Sequence, residues 1–245
     1  SRAMELGTAF HAMLLEGAEP DVPPIEILAS NGAMTTKEAK SWKAAHPDYL
    51  KPDEAANLFY AVDRCRQDPE IVAYLETEGD VELSMFWRDE ATGLDCRGRL
   101  DKLCRFNDGL EILDVKFSGG VDQRWVEKKI FEMGYYRQAA FYFDAIADAM
   151  EPPKAFTFLF AHSSPPYDAY LWRLNENDLD LGRRHNAVAL ADLRRRLDSN
   201  DWRTERFGKM NYASLPKWAY ENDSLYAAAA FADDFSQFAT FPTGD

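Results

Sequence analysis

The chain has 245 residues, 46% of them hydrophobic, and a formal net charge of −14. No apolar run approaches the roughly 18 residues a membrane-spanning helix needs, and Cys65, Cys96 and Cys104 form no CxxC pair and leave one thiol over in any disulfide scheme; a reduced, cytoplasmic protein with no membrane partner is expected. The acidity argues against a uniformly basic nucleic-acid binder, but residues 1–90 carry −10, residues 91–220 carry +1 and residues 221–245 carry −5, so the middle segment has room for a local basic groove.

Leu6, Phe10, Met13 and Leu14 recur at helical spacing, so the chain opens on a helix with one buried stripe, and His11 lies on its flank. Spaced apolar residues interrupted by Glu5 and His11 do not read as a signal peptide. Residues 18–34 form a loop rich in Pro and Gly. Thr35-x-x-Glu38 has the form of a capping box and opens a second helix. Pro52 and Pro69 start two more, over about 53–66 and 69–76. Residues 21–80 thus form a helical insertion or flank.

The period then changes. Val81, Leu83, Met85 and Trp87 alternate with Glu82, Ser84, Phe86 and Arg88, the pattern of a strand. Residues 95–106 and 110–116 read as two further strands joined through Asn107-Asp108-Gly109. Residues 123–149 form a long amphipathic helix, "KAFTFLFAH" and "YDAYLWRL" two more strands, and residues 176–198 a helix ending on Arg194-Arg195-Arg196. The order predicts one α/β domain over residues 1–245, a central mixed β-sheet flanked by helices, with an acidic C-terminal tail at 221–245.

The stretch "RGRLDKLCRFNDGLEILDVKFSGG", Arg97–Gly120, carries the chemistry. Asp114 and Lys116 share a strand face by spacing. A two-residue Asp108-Gly109 turn pairs Asn107 with Leu110, which sets Asp101 opposite Lys116 and diagonal to Asp114; a three-residue loop without a bulge would set Asp101 on the other face. Ile112 and Leu103 are apolar neighbours on that face. Two carboxylates and a lysine in such surroundings are either an internal salt bridge or a site for Mg²⁺ or Mn²⁺, in which the lysine orients a water. Glu82 on the preceding strand could reach the same face as a third carboxylate, or stand as an exposed strand residue. His11 is a neutral ligand or a structural histidine. Gln138 and Tyr142 lie one turn apart, with Tyr135 near the same line, as an active-site wall or a core-facing stripe.

The segments "MELGTAFHAMLLEG", "VELSMFWRDEATGLDCRGRLDKL", "EILDVKFS", "GYYRQAAFYFDAI" and "FLFAHSSPPYDAYLWRL", followed by "LPKWA", resemble in content and order the RecE-type exonucleases of the PD-(D/E)XK superfamily, the phage and prophage enzymes that accompany single-strand annealing proteins. The resemblance covers about residues 3–220. The single D-x-K is a weak signal; the ordered set G-T-A-x-H, G-R-x-D, D-x-K and Q-x-x-x-Y is a strong one. It implies a restriction-endonuclease-like core. It implies that His11, Asp101 and Asp114, with the backbone carbonyl of Val115, hold metal, and that Lys116 positions and activates the attacking water. It sets Gln138 and Tyr142 beside the active site and matches Glu82 to a recurrent glutamate. Phe117-Ser118 stands where relatives often have Thr-Thr, so one hydroxyl is missing. An iron–sulfur cluster needs four cysteine ligands, and this chain has three cysteines.

The expected activity is a Mg²⁺-dependent (or Mn²⁺-dependent) DNA exonuclease. The resemblance implies 5′-to-3′ digestion of duplex ends in recombination or repair, a single-strand annealing protein as partner, and a homo-oligomer. Arg97, Arg99, Arg124, Lys128 and Lys129 are candidates for phosphate contacts, or else solvated faces of a strand and a helix. The rival readings are an endonuclease or single-strand-specific nuclease on the same scaffold, and a non-catalytic DNA-end-binding subunit of a recombinase complex.

Overall fold

At Gly79 the chain passes from helices to a sheet. The computed structural model describes residues 1–204 together with 208, 210 and 213; "LPKWA" and the acidic tail at 221–245 lie outside the described residues. α1 (Arg2–His11) continues into a π-helical turn (Ala12–Glu16) closed by Gly17 at φ 67°. α2 (Lys37–Ala45), α3 (Pro52–Arg66) and α4 (Pro69–Glu76) follow. The capping residue of α2 is Thr36, one later than the Thr35 frame. Its hydroxyl oxygen accepts from the Ala39 N–H at 3.0 Å and also donates to the Ile27 carbonyl, which ties the helix start to the preceding loop.

Five strands follow: β1 (Gly79–Arg88), β2 (Asp95–Phe106), β3 (Gly109–Ser118), β4 (Ala155–His162) and β5 (Ala169–Arg173). They form one mixed sheet in the order β1-β2-β3-β4-β5, in which β3 and β4 are parallel and the other neighbours antiparallel. The β3–β4 crossover is helical, as a parallel connection requires. It is two helices, not the single one expected over 123–149: α5 (Gln123–Glu132) and α6 (Tyr135–Ala149), separated at Gly134, whose φ of 70° is left-handed. The apolar stripe continues on both sides of that glycine, so the periodicity passes over the break. α7 (Glu176–Ser199) ends the described elements. None of the described helices is long and apolar enough to cross a membrane.

β4 is buried on both faces, as its near-continuous apolar run requires. Phe156, Phe158 and Phe160 pack with Leu103, Ile112, Val126, Ala139 and Ile146, which places α5 and α6 on that face. Leu159 and Ala161 join Leu113, Val115, Phe10, Leu58 and Ile71 on the other, under α1, α3 and α4. The sheet is therefore covered on both sides around β3 and β4, while the outer ends of β1 and β2 are more open.

The β2–β3 turn is Asn107-Asp108, with Phe106 paired to Gly109, instead of Asp108-Gly109. Gly109 is the first residue of β3, where the Lys154 side chain passes over it; a Cβ there would lie 2.7 Å from Lys154 Cε. Lys154 also pairs with Asp108 at 3.0 Å. The count of facing residues shifts by two, which would set Asp101 opposite Asp114 and not opposite Lys116, but the ladder stops one residue short, at Lys102–Leu113.

Candidate metal centre and active site

The site sits where the ladders beside β2 are interrupted. Pairing of β2 with β3 stops at Lys102–Leu113. Beyond it the Asp101 carboxylate substitutes for a strand partner, its Oδ2 accepting from the Val115 N–H at 2.7 Å. On the other edge Val81 pairs with Lys102 and Leu83 with Leu100, which leaves Glu82 facing Asp101 outside the regular ladder. Glu82 has φ 53°, a left-handed conformation that costs a side-chain-bearing residue about 1–2 kcal/mol. The alternation of β2 slips at the same point, because Leu100 and Leu103 both lie in the α5–α6 core.

His11 comes to this break as the last residue of α1, where the helix widens into its π turn. Its Nδ1 is 3.5 Å from Asp101 Oδ2. Ligating atoms of His11, Glu82 and Asp101 all lie within 4.8 Å of one another. Three residues from three separate elements thus converge, all of them half-buried.

Asp114 and Lys116 lie next to this group on β3. Asp114 is 2% exposed, and its Oδ2 has no hydrogen-bond partner among the described residues. The Lys116 ammonium contacts that oxygen as an ion pair without hydrogen-bond alignment. The same ammonium lies 4.6 Å from the centroid of the Tyr135 ring and 5.8 Å from that of Phe158.

The electrostatics follow from crowding. Burial, and then the nearby Asp114 charge, push the Asp101 carboxyl up to about 7. Burial holds the His11 imidazole below its usual value against the pull of Asp114, which keeps it a neutral nitrogen donor. Burial works to lower Lys116, but the charge and contact of Asp114 outweigh it and hold the ammonium above its usual value. A neutral imidazole, two carboxylates with ligating atoms within 4.8 Å, and a third, buried carboxylate paired with Lys116 form a hard, anionic donor set. Such a set fits a divalent cation of the Mg²⁺ or Mn²⁺ kind.

The remaining sequence candidates divide. Tyr142 lies over Gly98, where a Cβ would come within 2.5 Å of its ring, so the G-R-x-D and Q-x-x-x-Y segments meet at that glycine. Gln138 lines a groove between α6 and α7 with Asn186 and Leu190, and makes no hydrogen bond to the cluster among the described residues. Arg99 pairs with Glu82 at 2.7 Å, which links it to the cluster. Lys128 and Lys129 both pair with Glu132 on α5. Arg97 and Arg124 are exposed. Tyr135 takes a role beside Lys116 that the sequence did not specify. Its place on the stripe with Gln138 and Tyr142 was legible, but its contact with Lys116 depends on how α6 crosses β3 and β4.

A family model for a PDDEXK-like domain of unknown function (DUF3799) matches residues 1–215. Among solved structures, a candidate exonuclease from Eubacterium rectale superposes with a TM-score of 0.56 at 14% identity, over 90% of this chain and 79% of that one. At that identity the likeness is one of fold. The structure of SSO0001 is also 14% identical, over 78% of this chain and 85% of that one, with a TM-score of 0.37. No curated protein matches the sequence.

Proposed function

The chain belongs to the family of PDDEXK-like domains, and from that premise we propose that it is a metal-dependent deoxyribonuclease, an exonuclease that hydrolyses phosphodiester bonds at the ends of duplex DNA. The observation that carries the reading is the convergence of His11, Glu82 and Asp101 within 4.8 Å beside the buried Asp114–Lys116 pair. A structural salt bridge needs one carboxylate for Lys116; it does not need two more carboxylates and an imidazole alongside.

His11, Asp101 and Asp114 would hold one or two Mg²⁺ or Mn²⁺ ions, with Glu82 and the Val115 carbonyl as further donors. When bound, such a cation supplies positive charge against the charge that develops on the phosphate and the leaving oxygen. Lys116 is fixed by Asp114 on one side and by the Tyr135 ring on another. Its ammonium donates hydrogen bonds that orient the attacking water. Tyr142 backs the strand that carries Asp101. The order of the motifs supports the finer reading of a 5′-to-3′ enzyme of the RecE type, working in recombination or repair as an oligomer beside a single-strand annealing protein.

The test is digestion of linear and circular duplex DNA, with Mg²⁺ or with a chelator, beside Lys116→Ala. Loss of linear DNA alone, dependent on Mg²⁺ and abolished in the variant, is the expected result. Cut circles would make the enzyme an endonuclease. DNA binding without cleavage, unchanged by Lys116→Ala, would remove the catalytic reading altogether. Labelling the substrate at its 5′ or 3′ end gives the direction.

A further inference from the structure

Beyond the cluster, the β1–β2 hairpin has two unlike faces. On one, Trp87 packs against Phe141 of α6 with ring centroids 4.7 Å apart, and Tyr142 covers Gly98. On the other, the cross-strand pairs are Ser84 with Arg99, Phe86 with Arg97 and Arg88 with Asp95, all exposed. Among the described residues nothing covers this face, and Phe86 is 80% exposed. Arg88 and Asp95 neutralise each other at 3.2 Å. Arg97 has no acidic partner among the described residues. Arg99 pairs with Glu82 at 2.7 Å, which joins the face to the metal-ligand cluster.

The result is an open aromatic ring with a guanidinium directly across from it and a second one two residues nearer the cluster. With Arg88 and Arg99 each paired to a carboxylate, Arg97 leaves this spot cationic on a chain of net charge −14. At about 3.3 Å per strand residue, Phe86 stands about 13 Å from Glu82 along β1. We propose that this face binds a single-stranded stretch of the nucleic-acid substrate, with one base stacked on Phe86 and a neighbouring phosphate on Arg97. Inside a duplex both faces of a base are covered by its neighbours, so a ring on an open strand can stack only on an unpaired or terminal base. Stacking tolerates any base, because every base presents a π-face. The acidic tip, Asp89 and Glu90, ends the tract and leaves the strand running towards the cluster. The inference rests on the nuclease reading and adds the form of the substrate that this site takes.

The experiment measures binding by the full chain, with a chelator present and again with Lys116→Ala and Mg²⁺, so that the ligand is not consumed. The probes are a labelled single-stranded 10-mer and a blunt duplex of equal length. Phe86→Ala and Phe86→Leu should each weaken the single strand by about 5-fold to 150-fold, with a smaller effect on the duplex, while Phe86→Trp keeps affinity. Arg97→Ala should lower the slope of log affinity against log salt by about 0.7. Single-strand binding unchanged by Phe86→Ala, in a chain that does cut DNA, overturns this inference and leaves the nuclease reading standing. Equal losses on strand and duplex overturn the stacking. A parent chain that neither binds nor cuts DNA overturns both. A change of sedimentation in Phe86→Ala without a change in binding would assign the face to a second copy of the chain, and would overturn the inference as well.

Discussion

Lys116 has two dependencies, one chemical and one structural. Its ammonium is the only counter-charge in contact with Asp114 among the described residues, and Asp114 is almost wholly buried. Lys116→Ala should therefore lower activity by about 10²-fold to 10⁴-fold. It should also destabilise the fold by about 3–5 kcal/mol, since it strands a buried carboxylate. Asp114→Asn added to that variant removes the stranded charge. Thermal melts of the three proteins should then show most of the stability restored while activity stays lost; a double variant no more stable than Lys116→Ala would mean that the pair does not act as a buried charge pair. The thiols allow a separate check of burial. Burial pushes Cys65 and Cys104 up to about 12, so at pH 8 on the order of one such thiol in 10⁴ is ionised. An aromatic disulfide reagent at pH 8 should titrate Cys96 alone in the native chain, and all three cysteines in denaturant. Fast native reaction of two or more thiols would contradict the packing around β2 and α3.

At the scale of elements, most of the strands and helices were legible because their periods are clean: the alternation over Val81–Arg88, the apolar run of β4, and prolines at the starts of α3 and α4. The breaks were not legible, and each has a local cause. Gly134 lies between α5 and α6 inside an unbroken apolar stripe, Thr36 caps α2 while also holding Ile27, and Gly109 falls in β3 under the Lys154 side chain instead of in the turn. The site was partly legible for the same reason. Parity keeps Asp114 and Lys116 on one face of β3, but Asp101 joins them through the break in β2, where its carboxylate accepts from the Val115 N–H. The left-handed Glu82 could not be foreseen, since nothing in its neighbours marks a glutamate for φ 53°. That conformation lies beside the residue with which it clusters, where strain is commonly retained for function. Close helix packing gives a prediction at this scale. A Cβ on Gly182 of α7 would lie 2.5 Å from the Tyr136 carbonyl oxygen and 2.8 Å from Ala140 Cβ on α6. Backbone cannot give way as a side-chain tip does, so Gly182→Ala should cost about 1–3 kcal/mol by overpacking. Urea unfolding measures it; an unchanged midpoint would mean that α7 does not approach α6 so closely.

For the whole molecule, the proposed function sets a charge question: a chain of −14 would have to bind a polyanion. The acidic excess lies mainly in residues 1–90 and 221–245, while 91–220, which carries β2 to α7, is nearly neutral. Long-range repulsion of DNA is screened beyond roughly 8 Å at physiological salt, so the proposed binding would be decided locally, at Arg97 of the hairpin and at the cluster. There the carboxylates of Glu82, Asp101 and Asp114 are crowded, and burial with Asp114 raises Asp101 to about 7. A divalent cation held as proposed would relieve that crowding in the folded chain only, because the candidate ligands come from α1, β1, β2 and β3 and are far apart in the unfolded one. With metal at about ten times its dissociation constant, linkage gives about 1.4 kcal/mol, or about 3–6 °C in a chain of this size. Melting in MgCl₂ against NaCl of equal ionic strength should show that rise in the parent. Asp101→Asn should lose it, although relief of the crowding should leave this variant at least as stable as the parent without metal. A rise of the same size in Asp101→Asn would trace the effect to general neutralisation of a −14 chain and not to the cluster.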